Sequence, residues 1–319
     1  MGEKNNAMCS YLAKPEVFAD FVNGILFEGK EKIKPEKLTA CATGYNEALQ
    51  EKGKKQRVIR TRDCLEAVCE GKGYVIIGAE NQDKVHYAMP LRCMEYDVLE
   101  YARQLRRLRE KNKAEGSLGN GDEYLSGIKR DDKLNPVITI VFYHGKKPYD
   151  GCRKLHDMLD LNQENEEFIK YVADYKMNLV TLQDMKEEVF RTGLREVTGI
   201  MKRSEDKEEL ISYCRRNEKR LRRLDSDAFD TVSVMINQKD LLKYKEEAAD
   251  KKGEADMCKA IMEMVEEGKT EGKIEGIRQG EDNFACLTEK LLADSRTEDL
   301  LRAVKDVAFR KELYKEYGL

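Results

Sequence analysis

Residues Val58–Gln82 read VIRTRDCLEAVCEGKGYVIIGAENQ, and this stretch decides the fold. It contains two β-rich runs, Val58–Glu70 and Tyr74–Gln82. Between them lies Glu70–Gly73, a short segment with two glycines. Glycine at a short turn between two such runs is the usual signal for a β-hairpin. The sequence therefore predicts an antiparallel hairpin over these residues.

The predicted hairpin brings two acidic side chains together. With residues 71–72 as its loop, Asp63 faces Glu80 and Thr61 faces Gln82, and Glu80 and Gln82 share a face because strand side chains alternate. Directly opposed residues have Cβ atoms about 4.5–5.5 Å apart. Two negative charges roughly 5 Å apart repel by about 3 kcal/mol at an effective dielectric constant of about 20. A hard divalent cation with oxygen ligands would relieve this repulsion. The alternative is a surface hairpin on which nearby arginines neutralise the acids.

Composition limits the classes of protein that the chain can be. It has 319 residues, of which 37% are charged and 40% apolar, and its net charge of −3 gives no overall basic field for nucleic acid. Nine cysteines without a C-x-x-C pair, and three histidines, argue against a structural zinc site and favour reduced thiols. No apolar stretch approaches the roughly 20 residues of a membrane helix. We expect a cytoplasmic protein without membrane contact.

The remaining pattern predicts an α/β core followed by helices. An amphipathic helix over Pro15–Phe27 precedes a charged, turn-rich region with a short strand near Leu38–Thr43. After the hairpin come a helix over Met89–Lys111 and an apolar strand over Pro136–Tyr143, of the kind buried on both faces. From about residue 164 the chain is highly charged and helical in pattern. We therefore expect a core over residues 10–160 and a helical accessory region over residues 161–319.

Four segments in this order resemble one nuclease family. They are Arg62–Leu65, Tyr74–Gln82, Met89–Tyr96 and Pro136–Gly145. Together they resemble the PD-(D/E)XK nucleases and, more closely, the recombination-promoting nuclease and putative transposase (Rpn) family. The resemblance covers roughly residues 10 to 160, and the charged helical tail is also similar. It implies a restriction-endonuclease-like core, a mixed sheet flanked by helices, and metal-dependent hydrolysis of DNA phosphodiester bonds.

The resemblance also implies a metal site. Asp63 and Glu80 would bind Mg²⁺, or Mn²⁺ in its place, and the backbone carbonyl of Asn81 would complete the protein ligands. Gln82 stands where most of the superfamily has lysine. An amide orients water by hydrogen bonds but carries no positive charge. The metal would then supply more of the electrostatic stabilisation, which lowers the expected rate without excluding activity.

Other side chains are candidates for supporting roles. The resemblance implies an acidic residue on the first helix, for which Asp20 is the choice and Glu16 the weaker option. Arg92 lies just after the hairpin, where it contacts phosphate or braces the strands. Arg103 and Arg106 lie in a basic helical segment that either follows a DNA backbone or forms a solvated face with i,i+4 pairs.

Two further features keep two interpretations each. His144 follows the apolar strand beside Gly145, as a general base or as a turn residue. Glycines recur every four residues near the end of the chain, at Gly268, Gly272, Gly276 and Gly280. They either allow close packing in a self-associating tail or form a soft helical linker, since each glycine costs a helix about 1 kcal/mol. A homodimer is expected.

Three functions are consistent with the sequence. The first is a Mg²⁺-dependent DNA endonuclease of the Rpn type. The second is a catalytically weak or inactive DNA-binding protein that assists transposition, which the glutamine at position 82 favours. The third is a scaffold whose charged helices bind other proteins. DNA is the expected partner in the first two.

Overall fold

A computed structural model describes residues 3–40, 44–51, 54–61, 64–70, 73–162, 166–248 and 254–319. Its central feature is a five-stranded mixed sheet between helices, which confirms the expected α/β class. The strands of the described ranges are β1 (Leu38–Ala40), β2 (Gly44–Glu51), β3 (Lys54–Thr61), β4 (Cys64–Glu70), β5 (Gly73–Gln82), β6 (Val137–Tyr143), β7 (Asn178–Thr181), β8 (Leu224–Asp225) and β9 (Glu254–Ala255).

Helices make up most of the rest of the described chain, and several short 3-10 turns connect them to the strands. They are α1 (Glu3–Leu12), α2 (Pro15–Phe27), α3 (Met89–Glu115), α4 (Gly121–Ser126), α5 (Leu194–Arg203), α6 (Lys207–Arg216), α7 (Glu218–Leu221), α8 (Ser226–Met235), α9 (Leu241–Ala248), α10 (Met257–Ala293), α11 (Thr297–Lys305) and α12 (Val307–Tyr317). Helices α2 and α3 and strand β6 lie where the sequence predicts them.

The sheet has the order β1-β4-β5-β6-β7. Strands β1, β4 and β5 pair antiparallel, whereas β5, β6 and β7 run parallel to one another. Helix α3 is the crossover between the parallel strands β5 and β6, as such a connection requires. Residues Ile140–Phe142 of β6 are completely buried, as expected for an apolar strand in the interior of a sheet.

The two faces of the sheet are covered by different helices. On one face, Phe142 of β6 packs against Phe21 of α2 with ring centroids 5.9 Å apart, and Asn81 of β5 contacts Cys9 of α1. On the other face, Val141 packs with residues of α3. Because neighbouring side chains of a strand point to opposite faces, Glu80 and Gln82 lie on the face of α3.

The described parts of the predicted run Val58–Glu70 are strand. They belong to β3, described to Thr61, and to β4, described from Cys64, and the two residues between them lie outside the described ranges. Strand β3 pairs along its length with β2 in a separate two-stranded sheet, so Thr61 pairs with Gly44. This pairing uses one edge of β3, so the expected position of Thr61 opposite Gln82 stays a prediction. The region expected to be turn-rich also contains β2 and the first residues of β3.

The chain divides into two compact units, Met1–Cys258 and Lys259–Leu319. The first extends well beyond residue 160, since β7 joins the central sheet and α8 packs against α1. Its later part is mainly helical. Glu196 of α5 is buried there and pairs with Arg220 of α7.

The second unit has its own small core. Leu287, Leu291, Ala303 and Leu313 form it with partly buried aromatic residues around them. Residues 266–282 of α10 are exposed on all sides. The four glycines spaced by four residues lie in this stretch, and an added Cβ at any of them would meet no described atom within 4 Å. Over the described residues, no helix has the length and apolar character needed to cross a membrane.

Candidate metal centre on strand β5

Glu80 is the central residue of the candidate site. Its side chain is completely buried near the end of β5, where the strand runs parallel to β6 with Glu80 beside Val141. One carboxylate oxygen, Oε2, accepts a hydrogen bond from Nη2 of Arg92 on α3 at 3.1 Å. An ionised carboxylate in the interior is costly unless it is paired with positive charge. The fold therefore places a carboxylate paired with an arginine at this point of the sheet.

The observed register agrees with the register expected for the hairpin. Cys64 pairs with Ala79, and the pairing continues to Glu70 with Gly73. Asp63 lies outside the described residues. In the sequence it directly precedes Cys64, as Glu80 directly follows Ala79. Its expected position opposite Glu80 stays a prediction.

Arg92 connects Glu80 to the next turn of α3. Its Nε donates to the hydroxyl of Tyr96 at 3.3 Å, and its guanidinium lies 5.5 Å from the centre of that ring. The arginine side chain is 30% exposed, whereas the Glu80 side chain is fully buried. Arg92 thus braces the end of β5 and also presents part of a cation to solvent, so the contact with phosphate stays a prediction.

Gln82 and Asn81 lie on opposite faces of the sheet. The Gln82 side chain is half-buried on the face of Glu80. The backbone carbonyl of Gln82 accepts a hydrogen bond from the backbone N–H of His144 at 2.9 Å. Asn81 is fully buried, and its side-chain amide donates to the sulfur of Cys9 at 3.3 Å. The side chain of Asn81 is thus directed away from Glu80, which is consistent with a role for its backbone oxygen rather than its amide.

Asp20 has a different environment from Glu80. It lies on α2, which covers the opposite face of the sheet. Its carboxylate accepts hydrogen bonds from the backbone N–H groups of Arg191 and Thr192 at 2.8 Å each and from the Thr192 hydroxyl at 2.7 Å. These contacts fix the segment that leads into α5. The structure thus gives Asp20 a positioning role and does not bring it to the carboxylate of Glu80.

Two of the three arginines expected to contact DNA, Arg103 and Arg106, differ in exposure. Arg103 is only 17% exposed, because it forms an ion pair with the completely buried Glu100 one turn earlier on α3. Arg106 is exposed. Arg103 thus neutralises an interior carboxylate, and Arg106 is the better placed of the two for a phosphate.

The sequence prediction missed a polar network beside Glu80. Asp97 of α3 is buried and accepts hydrogen bonds at 2.6 Å from both the Thr139 hydroxyl and the Tyr175 hydroxyl. A signal was present in the sequence. Asp97 and Glu100 fall on the same helical stripe as Met89 and Cys93, and acids at core positions of a helix indicate buried polar contacts.

The oxygen-donor set is suited to a hard cation. Glu80 supplies a buried carboxylate, and the chain places further oxygens at Asn81 and, by sequence, at Asp63. Carboxylate and carbonyl oxygens are the ligands that Mg²⁺ and Mn²⁺ prefer. In the part of the chain that the structure describes, which excludes Asp63, no three or more His, Cys, Asp or Glu residues form a group that could hold a metal ion.

The chain matches one family of known proteins. A family model described as putative transposase, YhgA-like, matches residues 65–228, just over half of the chain. The matched region begins in β4 and includes Glu80, Gln82 and Arg92. No curated protein and no solved structure matches the chain.

Proposed function

This chain belongs to the family of YhgA-like putative transposases, and from this we propose that it is a Mg²⁺-dependent DNA endonuclease with a restriction-endonuclease-like core. The observation that carries the proposal is the completely buried Glu80, held by Arg92 at the end of β5 on the face of Gln82. Burial alone does not distinguish Glu80, because Glu100 and Glu196 are also buried and paired with arginines. Glu80 differs from them in sharing its strand face with Gln82 and in lying opposite Asp63 in the register expected from the sequence.

The topology supports the proposed core. An antiparallel pair, β4 and β5, is followed by the crossover helix α3 and the parallel strand β6, with α1 and α2 on the opposite face. This is the order in which the resembling segments occur in the sequence. Glu80 lies where the antiparallel and parallel parts of the sheet meet.

In this proposal Asp63, Glu80 and the Asn81 carbonyl hold Mg²⁺. When bound, the ion supplies Lewis-acid chemistry to the water and the scissile phosphate. Arg92 keeps the Glu80 carboxylate in one orientation. The Gln82 amide, on the same face, accepts or donates a hydrogen bond and so orients the attacking water without adding charge. Arg106 on α3 contacts the DNA backbone.

A nicking assay on supercoiled plasmid with Mg²⁺ tests the proposal. We expect Asp63→Ala and Glu80→Gln each to lower the rate at least about a hundredfold, since they remove metal ligands. The matched control is Glu110→Gln, which removes the same charge from an exposed position on α3. Melting curves of each variant show whether a lost rate reflects lost folding. Plasmid cleavage that survives both substitutions in folded protein would contradict the assignment of the site.

A second function, a DNA-binding accessory protein, is favoured by one observation. Position 82 carries a neutral amide where most of the superfamily has a lysine. The cation that could replace that lysine, Arg92, forms a hydrogen bond with Glu80. Binding of DNA by folded wild-type protein without cleavage in Mg²⁺ or Mn²⁺ would select this function. Absence of both binding and cleavage would instead favour a protein scaffold.

A further inference from the structure

A cavity of about 250 Å³ lies at the carboxyl ends of the three parallel strands. Asp83 follows β5, His144 follows β6, and Leu182 follows β7, and all three line it. In open α/β sheets, ligands bind in the crevice beyond the carboxyl ends of parallel strands. Gly145 lets the strand ends approach closely, because an added Cβ there would collide with the Tyr143 hydroxyl and the Asp83 carbonyl. The cavity thus lies between the strand ends and the helices α1, α5 and α8, which also contribute to its lining.

His144 gives this cavity an unused hydrogen-bonding group. The residue is 7% exposed, and its Nε2 is buried with no hydrogen-bond partner among the described residues. Its ring packs against Phe142 with centroids 5.5 Å apart, which fixes its position. Burial lowers the pKa of the imidazole to about 4, so the ring is neutral near pH 7. Buried polar atoms nearly always have a hydrogen-bond partner, either a ligand or an ordered water, so this nitrogen has the capacity to bind one.

Two ammonium groups face the same space. Lys4 of α1 forms no ion pair within the described ranges, and burial and the charge of Lys146 together lower its pKa. Lys146 pairs with Glu205, and both side chains are well exposed. Such surface pairs are worth little and exchange readily. Lys202 also lines the cavity but is bound to Glu187. An anion between Lys4 and Lys146 would relieve the repulsion between them.

We propose that this cavity binds a phosphate group, with Lys4 and Lys146 supplying positive charge and Nε2 of His144 a hydrogen bond. Phosphate suits the histidine in either tautomer, because it carries acceptor oxygens and, as a monoanion, a hydroxyl donor. Asp83 and Glu205 also line the cavity, and both are exposed, so water screens their repulsion of an anion. The site is distinct from Glu80, which lies on the other face of the sheet, and it does not depend on the proposed nuclease activity.

The test uses inorganic phosphate and the full chain. The chain has three histidines, so His144 can be assigned in a long-range proton–nitrogen spectrum by comparison with His144→Phe. We expect phosphate to shift the His144 signals and to raise its pKa from about 4, since a bound anion stabilises the imidazolium. Lys4→Gln and Lys146→Gln should each weaken phosphate binding at least about tenfold.

The control is Lys133→Gln. Lys133 is exposed and precedes β6, so it lies at the amino end of that strand rather than at the cavity. Lys133→Gln removes the same charge as the cavity variants and should leave the affinity for phosphate unchanged. Unshifted His144 signals at high phosphate concentration, or equal weakening by Lys4→Gln and Lys133→Gln, would overturn the proposal.

Two sources of the phosphate group can then be separated. A DNA duplex with 5′-phosphates is compared with the same duplex bearing 5′-hydroxyls. Tighter binding of the phosphorylated duplex than of the duplex with 5′-hydroxyls, with the difference lost in Lys4→Gln, would identify a DNA strand end as the ligand. Equal behaviour of the two duplexes, with inorganic phosphate still binding, would identify a free phosphate compound.

Discussion

The two faces of the central sheet differ in the buried ion pairs that they carry. Towards α1 and α2, β6 presents Phe142 to Phe21, an aromatic contact. Towards α3 the same sheet carries Glu80 with Arg92, and α3 carries Glu100 with Arg103. The aromatic contact is stabilised by the hydrophobic effect, which does not depend on the orientation of the groups. The charged face depends on hydrogen bonds of defined geometry, and it is the face that bears the candidate metal centre.

The largest effect is expected on the apolar face. Phe142→Ala should lower the free energy of unfolding by about 3–5 kcal/mol, because it leaves a cavity between β6 and α2. Urea denaturation measures this loss. Tyr124 is 68% exposed, so Tyr124→Ala should change the free energy of unfolding by less than about 0.5 kcal/mol. A small effect of Phe142→Ala would show that the two faces do not differ in this way.

A smaller effect is expected on the charged face. Arg92→Met should destabilise the fold by about 1–3 kcal/mol, because Glu80 loses this hydrogen bond while its carboxylate stays buried. The arginine is 30% exposed, so water replaces part of the interaction. The same substitution in a Glu80→Gln background should cost less, and a double-mutant cycle by urea denaturation measures the coupling. Strict additivity would mean that the ion pair contributes nothing to stability.

The smallest effect near neutral pH is expected at His144, beside Phe142. Its pKa in the folded protein is about 4, below the ordinary 6.5, so between these values the unfolded chain binds more protons. The free energy of unfolding should therefore fall as the pH decreases from 6.5 towards 4. His144→Phe should reduce that slope, which denaturation at a series of pH values measures. An unchanged slope would contradict a buried neutral imidazole.

The sequence predicted the elements whose pattern is strong. Helix α2 begins at Pro15 and carries its apolar stripe into the core, and β6 is a long β-branched run. The turn chemistry between β4 and β5 was sufficient for the register. The first four residues of β3 were not predicted as strand, because charged residues such as Lys54 and Arg57 show no clean alternation. Strand β7 is only four residues long, too short for a periodic signal.

The candidate site was predicted less completely, because partners distant in sequence decide it. The position of Glu80 follows from local alternation, and its buried state requires α3 to fold back on the sheet. The carboxylate of Asp20 is occupied by Arg191 and Thr192, which no local pattern could indicate. The cavity beside His144 requires α1, α5 and three strand ends to converge. Such contacts are properties of the tertiary structure.

The hydrogen bonds from residues 191 and 192 to Asp20 have a consequence for folding during synthesis. Asp20 and Arg191 are separated by 171 positions in the sequence. The Tyr11 hydroxyl of α1 donates a hydrogen bond to Asp225, which is 214 positions away. At roughly 5–20 residues per second of synthesis, α2 would wait about 10–30 s on the ribosome before its partner segment emerges. During that interval its apolar stripe is incompletely covered. We therefore expect the early helices to stay incompletely packed for longer during translation than the later ones.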